Sequence, residues 1–152
     1  MSAARPEIAD EARRWIGTPY VHQASCLGAG ADCLGLVRGV WRAVCGAEAW
    51  VLPLYAPDWG ELAGGPDLEA ALMRHLVPLR PDAGWPEGQV LLFRMRDAGP
   101  AKHLGISSGS AAAPAFIHAY ERHGVVESPL SLPWRRRIAG RFAFPGGAAS
   151  HH

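Results

Sequence analysis

The stretch GADCLGLVRGVWRAVCG, residues 30–46, contains the features that decide the fold. From Cys33 onward its apolar residues recur at helical spacing, at Leu36, Val37, Val40, Trp41 and Val44. This spacing predicts a buried helix that begins at Cys33 and ends at about Cys45, before Gly46. Asp32 then falls at the N-cap, where a short polar side chain accepts hydrogen bonds from free backbone N–H groups.

Two glycines, Gly35 and Gly39, lie four residues apart on the predicted helix. Glycine weakens a helix, so this spacing is expected where one face of the helix approaches another backbone closely. We therefore expect the helix to pack tightly on a sheet.

The position of Cys33 allows two interpretations. A thiol in the first turn faces the positive end of the helix dipole, which favours the thiolate that acts as a nucleophile. Cys33 also begins the buried stripe of the same helix, so a packed core thiol is the alternative that helical spacing alone favours.

The whole chain has 152 residues, about half of them apolar, and a formal net charge of +1. We predict one domain over residues 1–147 and a flexible or added tail over residues 148–152. A net charge near zero gives no indication that the protein binds nucleic acid. The three cysteines form no CxxC pair, which argues against a disulfide framework and against a structural zinc site. Because the sequence shows neither a secretory signal nor a membrane span, we expect a soluble protein that does not insert into membranes.

Helical patterns come first along the chain and strand patterns follow. A first helix is predicted over residues 6–16 and a third over about 67–77, with a long ordered loop over 46–66 between the second and third. The second half contains short apolar or alternating runs separated by Gly, Pro and Ser: GQVLLFRM, KHLGIS, AFIHAY, GVVESP and WRRRIAGRFAF. These runs predict an antiparallel sheet of about five strands, and hence an α+β fold.

Two of these predicted strands carry a histidine on one face. His103 lies in KHLGIS and His118 in FIHAY. If the two strands form a hairpin that turns near GSAA, the two histidines can stand opposite each other, with Cβ atoms roughly 5 Å apart. A thiol, a histidine base and a third polar group that orients the base are what nucleophilic catalysis needs.

Five motifs in this order resemble the NlpC/P60 family of papain-like peptidoglycan peptidases, in particular its short phage-tail subfamily, which includes gene-transfer-agent peptidases. The motifs are GTPY, ADCLGLVRG, PEGQVLLF, HLGI and FIHAY, and the resemblance spans about residues 7–144. It implies the papain-like fold, with the nucleophile at a helix N-terminus packed on the C-terminal sheet.

The resemblance also implies roles for five residues. Cys33 matches the nucleophile, His103 the general base and His118 the polar residue that orients the base. Tyr20 matches a tyrosine that lines the cleft, and Asp32 matches an aspartate that caps the helix, contacts substrate, or does both. The backbone N–H of Cys33 is expected to contribute to the oxyanion hole.

Two positions depart from the family pattern. Leu34 stands where the family commonly has serine, so a substrate contact by that hydroxyl is missing. Gln89 replaces the usual aspartate of the strand motif, a residue we interpret as structural. Neither departure affects the three predicted catalytic residues.

The implied reaction is hydrolysis of an amide in the peptide stem of bacterial cell wall, between D-glutamate and the following diamino acid, with no metal or cofactor. The resemblance further implies assembly in the cytoplasm into a virion or phage-like tail particle, with contacts to tail hub or fibre proteins. Two alternatives remain open at this point: a structural tail-tip subunit with little activity, and an amidase that cuts the sugar-to-peptide link.

The other cysteines and histidines are expected to be bystanders. We expect Cys45 in the core and Cys26 in a glycine-rich loop. His22 is expected in a surface loop, His75 beside the third helix and His123 in a turn.

Two further stretches have open roles. Aromatic residues of the long loop can form a wall of the substrate groove, dock a partner or cover the core; they are Trp50, Tyr55 and Trp59. The run WRRRIAGR, residues 134–141, is interpreted as a solvated edge strand, with contact to an anionic wall or an acidic neighbour as the alternative.

Overall fold

A computed structural model describes residues 4–47, 67–81, 84–95 and 101–146. The predicted loop is outside these ranges from residue 48 onward, including its three aromatic residues, and so is the predicted tail. The single domain over residues 1–147 therefore stays a prediction. Among the described residues, no helix is long and apolar enough to cross a bilayer.

The described residues form four helices: Pro6–Arg13 (α1), Cys33–Cys45 (α2), Asp67–His75 (α3) and Leu132–Arg135 (α4). They also form eight strands: Ser25–Cys26 (β1), Gly30–Ala31 (β2), Val77–Pro78 (β3), Gln89–Arg94 (β4), Ala101–Gly109 (β5), Pro114–Tyr120 (β6), Gly124–Pro129 (β7) and Ile138–Ala143 (β8). β1 pairs with β2, and the others form one antiparallel sheet in the order β3-β8-β4-β5-β6-β7. The α+β prediction is confirmed, with a short sixth strand, β3, added to the five expected.

The predicted helices differ from the observed ones mainly at their ends. α2 has the predicted bounds, and Asp32 is its N-cap. α1 ends at Arg13 rather than at residue 16, and the next four residues form a turn. α3 ends at His75 rather than at about 77, because Val77 pairs with Ala143 of β8.

The glycine face of α2 approaches the N-terminal segment rather than the sheet. A Cβ at Gly35 would collide with the backbone carbonyl of Ala24, and a Cβ at Gly39 would collide with the ring of Trp15. Close approach was expected from the glycine spacing and is confirmed. The predicted packing of α2 on the sheet is confirmed as well, because α2 contacts β5 and β6, although the glycine face itself meets the N-terminal segment.

The two faces of the sheet have different compositions. The face covered by the helices, here called the helix face, has a buried apolar centre; this centre consists of Leu92, Leu104, Ile106, Ile117 and Ala119. The opposite face, here called the histidine face, carries Phe93, His103, Phe116, His118 and Ser128. This alternation follows from the two-residue period of a strand, so neighbours in sequence serve different faces.

The prediction of a solvated edge strand for residues 134–141 is right about solvation for Arg135, Arg136 and Arg137, which are exposed, and wrong about the edge strand. The run begins as α4 and continues into β8, which lies between β3 and β4 inside the sheet. Arg141 is buried there: it donates hydrogen bonds to the carbonyls of Pro81 and Gly84 and to Oε1 of Gln89. Its guanidinium also lies 4.2 Å from the ring centroid of Trp85. Arg141 thus holds a loop against the sheet, and Gln89 is structural as interpreted.

Candidate active site

The N-terminus of α2 is built around the buried carboxylate of Asp32. Its Oδ1 accepts the N–H of Gly35 at 2.7 Å and its Oδ2 accepts the N–H of Gln23 at 2.7 Å. One side chain therefore caps the helix and ties the preceding loop to it, which explains why the sequence turns sharply into a helix at this point. The capping role expected for Asp32 is confirmed, and its contact with substrate stays a prediction.

The thiol of Cys33 lies against the first residues of β5. Its S–H donates to the carbonyl oxygen of Lys102 at 3.8 Å, and the backbone N–H of Leu104 faces the sulfur from the other side of His103. The thiol thus meets the two peptide groups that flank His103. The fold brings together residues 70 positions apart in the chain.

Burial, and next the nearby carboxylate of Asp32, raises the pKa of the Cys33 thiol to about 12. Backbone N–H groups lower that pKa by a smaller amount. The helix dipole was expected to favour a thiolate, but in the folded protein the loss of hydration outweighs it. The resting sulfur is therefore a neutral thiol, which needs a base to become a nucleophile.

His103 and His118 meet on the histidine face, although not in the predicted register. β5 and β6 form the expected hairpin, in which Ile106 pairs with Ile117. The next residues along, Gly105 and His118, are therefore opposite each other, and His103 lies two residues further on. A Cβ at Gly105 would lie 2.7 Å from Cδ2 of Phe116 and 3.4 Å from the Cβ of His118. The absence of a side chain at Gly105 leaves room for the two rings to meet diagonally.

The two imidazoles share a hydrogen bond in the interior. Nε2 of His103 lies 2.7 Å from Nδ1 of His118, and the ring planes are 80° apart. The other nitrogen of the second ring, Nε2 of His118, lies 2.9 Å from the hydroxyl of Ser128. Ser128 was missed by the sequence analysis; the register of the β6–β7 hairpin, which aligns Phe116 with Ser128, is the signal that could have found it.

Both imidazoles are held neutral. Burial lowers the pKa of His103, and the neighbouring His118 lowers it further. Burial also lowers the pKa of His118, with a second contribution from His123. A neutral imidazole has one N–H and one lone pair, so in the pair one ring donates and the other accepts. A neutral imidazole is the protonation state in which a histidine can act as a base toward a thiol.

Aromatic side chains surround the histidine pair and keep water away from it. The ring of Trp134, from α4, lies 5.8 Å from that of His103 and 5.4 Å from that of His118, measured between centroids. Phe93 and Phe116 also pack against the pair: the ring of Phe93 lies 5.9 Å from that of His103, and the ring of Phe116 lies 4.2 Å from that of His118. Trp134 was interpreted only as part of an arginine-rich strand, because nothing local in the sequence shows that α4 folds back over the histidines.

Tyr20 lies beside the same thiol. It forms an isolated bridge with Ala31, two residues before Cys33, and its side chain is half-buried against the helix-face core. Burial raises the pKa of Tyr20, and the negative charges that Cys33 and Asp32 can carry raise it further. Tyr20 is therefore a neutral hydroxyl next to the nucleophile position, and its role in lining a cleft stays a prediction.

The residues expected to be bystanders have different surroundings, and of them His123 is close enough to the histidine pair to lower the pKa of His118. Cys26 is exposed in β1 rather than in a loop, and Cys45 is half-buried against the helix-face core. His75 packs edge-on against Trp41, and His123 occupies a turn, where it stacks on Tyr120. His22 is partly exposed, with Nδ1 3.8 Å from Oδ2 of Asp32. In the described part of the chain, no group of three or more His, Cys, Asp or Glu could hold a metal ion.

The fold is that of NlpC/P60 domains. The chain superposes on the NlpC/p60 domain of the peptidoglycan hydrolase SagA with a TM-score of 0.56 and 22% identity, covering 91% of this chain and 97% of that one. The match extends over nearly the whole of both chains. At this identity the likeness establishes the architecture.

Two longer crystal structures contain the same fold. One is a lipoprotein-like NLP/P60 family protein from Staphylococcus aureus, with a TM-score of 0.60, 21% identity and 94% of this chain covered. The other is an NlpC/P60 family protein from Bacillus cereus, with a TM-score of 0.64, 17% identity and 95% covered. This chain spans 43% and 41% of their lengths. No protein-family model and no curated protein matches the sequence.

Proposed function

We propose that the protein is a cysteine peptidase that hydrolyses an amide bond in peptidoglycan stem peptides, between D-glutamate and the following diamino acid. One observation carries the proposal: a half-buried thiol at a helix N-terminus lies 3.8 Å from the carbonyl oxygen of Lys102, the residue before His103, whose ring is hydrogen-bonded to His118 at 2.7 Å. The likeness to the domain of the peptidoglycan hydrolase SagA supports peptidoglycan as the substrate.

In the proposed reaction His103 is the base. Its Nε2 is occupied by His118, so Nδ1 is the nitrogen available for the thiol proton. As Cys33 loses that proton, its sulfur attacks the amide carbonyl carbon, and the carbonyl π-electrons move to oxygen. The oxyanion is stabilised by backbone N–H groups, including that of Cys33.

The tetrahedral intermediate then collapses. The C–N bond breaks, and the leaving amine takes the proton held by His103. The product is a thioester on Cys33. Water attacks this thioester with His103 again as base, which releases the carboxylic acid and restores the thiol. Both half-reactions balance with water as the one co-reactant, and no residue in them requires a metal.

The test is product analysis by mass spectrometry after incubation of purified muropeptides with the protein. Cleavage after D-glutamate by the wild type, and none by Cys33→Ala, is the expected result. Cys26→Ala is the matched control, because its thiol is exposed and far from the histidine pair in sequence, and it should cleave at the wild-type rate. A chelator should leave the rate unchanged.

Other product patterns would contradict parts of the proposal. Release of the sugar from an intact peptide would identify an amidase, which the same three residues can support. No cleavage by the wild type would favour a structural tail-tip subunit. Loss of activity in a chelator would contradict the metal-free mechanism.

We further propose that the protein is assembled in the cytoplasm into a phage-like tail particle and contacts hub or fibre proteins there. The support is the sequence resemblance of the five motifs to the short phage-tail subfamily. The measurement is co-purification of the tagged protein from producing cells, followed by identification of its partners. Tail components should be recovered in fixed proportion, and their absence would contradict the proposal.

A further inference from the structure

The hydrogen bond at the far end of the histidine pair carries an inference that rests on the proposed function. Three side chains, Ser128, His118 and His103, are joined in series by contacts of 2.9 and 2.7 Å. The strand registers show why they are collinear. His118 is aligned with Val126 on β7, and Ser128 is two residues further along that strand. This series of three hydrogen-bonded side chains therefore crosses β7, β6 and β5 on one diagonal of the histidine face.

We propose that Ser128 is a positioning residue, which accepts the Nε2–H of His118 and so sets the tautomers of both histidines. With its proton on Nε2, His118 presents the Nδ1 lone pair to Nε2–H of His103. His103 then has a bare Nδ1, the form that can take the proton of Cys33. The alternative arrangement, in which the serine hydroxyl donates, places an N–H on Nδ1 of His103 and prevents base catalysis from that atom.

The surroundings of the histidine pair explain why the Ser128 hydroxyl is important for the tautomer of His118. The neighbours of the His118 ring are mostly aromatic: Phe116 at 4.2 Å, Trp134 at 5.4 Å and Tyr120 at 5.4 Å between centroids. Carbon faces of these rings offer no strong acceptor for Nε2–H. Among the described residues, the hydroxyl of Ser128 is the hydrogen-bond partner of that nitrogen. Removing the hydroxyl would leave both tautomers of His118 nearly equal in energy.

The experiment measures tautomers directly, by ¹⁵N NMR of the histidine rings in the full chain without substrate. The wild type should show the proton on Nε2 in both His103 and His118. Ser128→Ala should show a tautomer mixture, and Ser128→Thr, which keeps the hydroxyl, should restore the wild-type pattern. The alkylation rate of Cys33 by iodoacetamide, in a Cys26→Ala/Cys45→Ala background, should fall about twofold in Ser128→Ala, in proportion to the competent tautomer that is lost, and recover in Ser128→Thr.

Ser108→Ala is the matched control. Ser108 is also buried in this sheet, but its hydroxyl donates to Glu127 at 2.7 Å on the other face. This variant should keep the wild-type tautomers and alkylation rate. An Nδ1–H signal for His103 in the wild type would overturn the inference, even if Ser128→Ala failed to fold. So would unchanged tautomers and alkylation in Ser128→Ala, or an equal loss in Ser108→Ala.

These readouts use no peptidoglycan, so they separate the two proposals. If muropeptides are not cleaved but the tautomers respond as described, the proposed function fails and the role of Ser128 stands. If muropeptides are cleaved at the wild-type rate by Ser128→Ala, the positioning role fails and the proposed function stands.

Discussion

The helix face and the histidine face of one sheet are built for different purposes. On the helix face, Leu104 and Ile106 are completely buried among apolar side chains from the helices. On the histidine face, His103 and His118 are almost as buried, but in a hydrogen-bonded chain enclosed by aromatic rings. Burial on the first face excludes water and thereby stabilises the fold. Burial on the second face lowers the pKa of both imidazoles and keeps them neutral, which is the state in which an imidazole can accept a proton.

The largest expected effect separates catalysis from stability at neighbouring positions. His103→Gln removes the proposed base, and kcat/KM for muropeptide hydrolysis should fall by about 10²–10⁴-fold. Its melting temperature should fall far less than that of the helix-face variant Leu104→Ala. Retention of hydrolysis by His103→Gln would break the comparison, because the histidine face would then be a second core.

The reverse effect is expected one residue further along. Leu104→Ala leaves a cavity under the helices and should lower the free energy of unfolding by about 2–5 kcal/mol, measured by urea denaturation. The control is Val77→Ala, at a half-exposed position of β3, which should change it by less than about 0.5 kcal/mol. An equal loss in both variants would show that the helix face is not the stabilising one.

The loss of stability at low pH tests whether the histidine face keeps its two imidazoles neutral. Because the folded state lowers the pKa of His103 and His118, the unfolded chain binds more protons below about pH 6.5. The contribution of the two neutral histidines to the free energy of unfolding is fully present above that pH. It is lost as the pH falls, by at most about 1.4 kcal/mol per pH unit for each group. Denaturation at several pH values should show a shallower acid slope in His103→Gln, and an unchanged slope would contradict neutral burial.

The Cys33 thiol is expected to make stability depend on pH in the alkaline range. Burial raises the pKa of Cys33 to about 12, above the value of about 8.5 in an unfolded chain. Its contribution is fully present below about pH 8.5 and is lost as the pH rises toward 12. Cys33→Ala should therefore flatten the alkaline limb of the stability profile, whereas Cys26→Ala, at an exposed position, should leave it as in the wild type.

The smallest expected effect concerns the start of α2. Asp32→Ala removes the acceptor of two backbone N–H groups and should lower the free energy of unfolding by about 1–2 kcal/mol. Asp32→Asn keeps an acceptor and should lose less. KM separates the two expected roles of Asp32: an unchanged KM in Asp32→Asn indicates a cap alone, and a raised KM indicates a contact with substrate as well.

Local signals predicted α2 and its surroundings well. Apolar spacing, the N-cap at Asp32 and Gly46 at the end define a helix from interactions within a few residues, so its bounds were found correctly. The interpretation of residues 134–141 as a solvated edge strand failed at Arg141 for the opposite reason. A run of arginines predicts exposure, but the burial of Arg141 depends on the carbonyls of a loop more than 50 residues earlier.

The sequence by itself determined which residues can carry the chemistry and which strands bear them, because side-chain type and period are local properties. Only the tertiary structure decided that His118 meets His103 across Gly105, that Ser128 is hydrogen-bonded to His118 and that Trp134 covers the histidine pair. Those outcomes depend on strand register and on the return of α4 over the sheet, and register is a long-range property. Protonation was likewise decided by burial, which no short stretch of sequence contains.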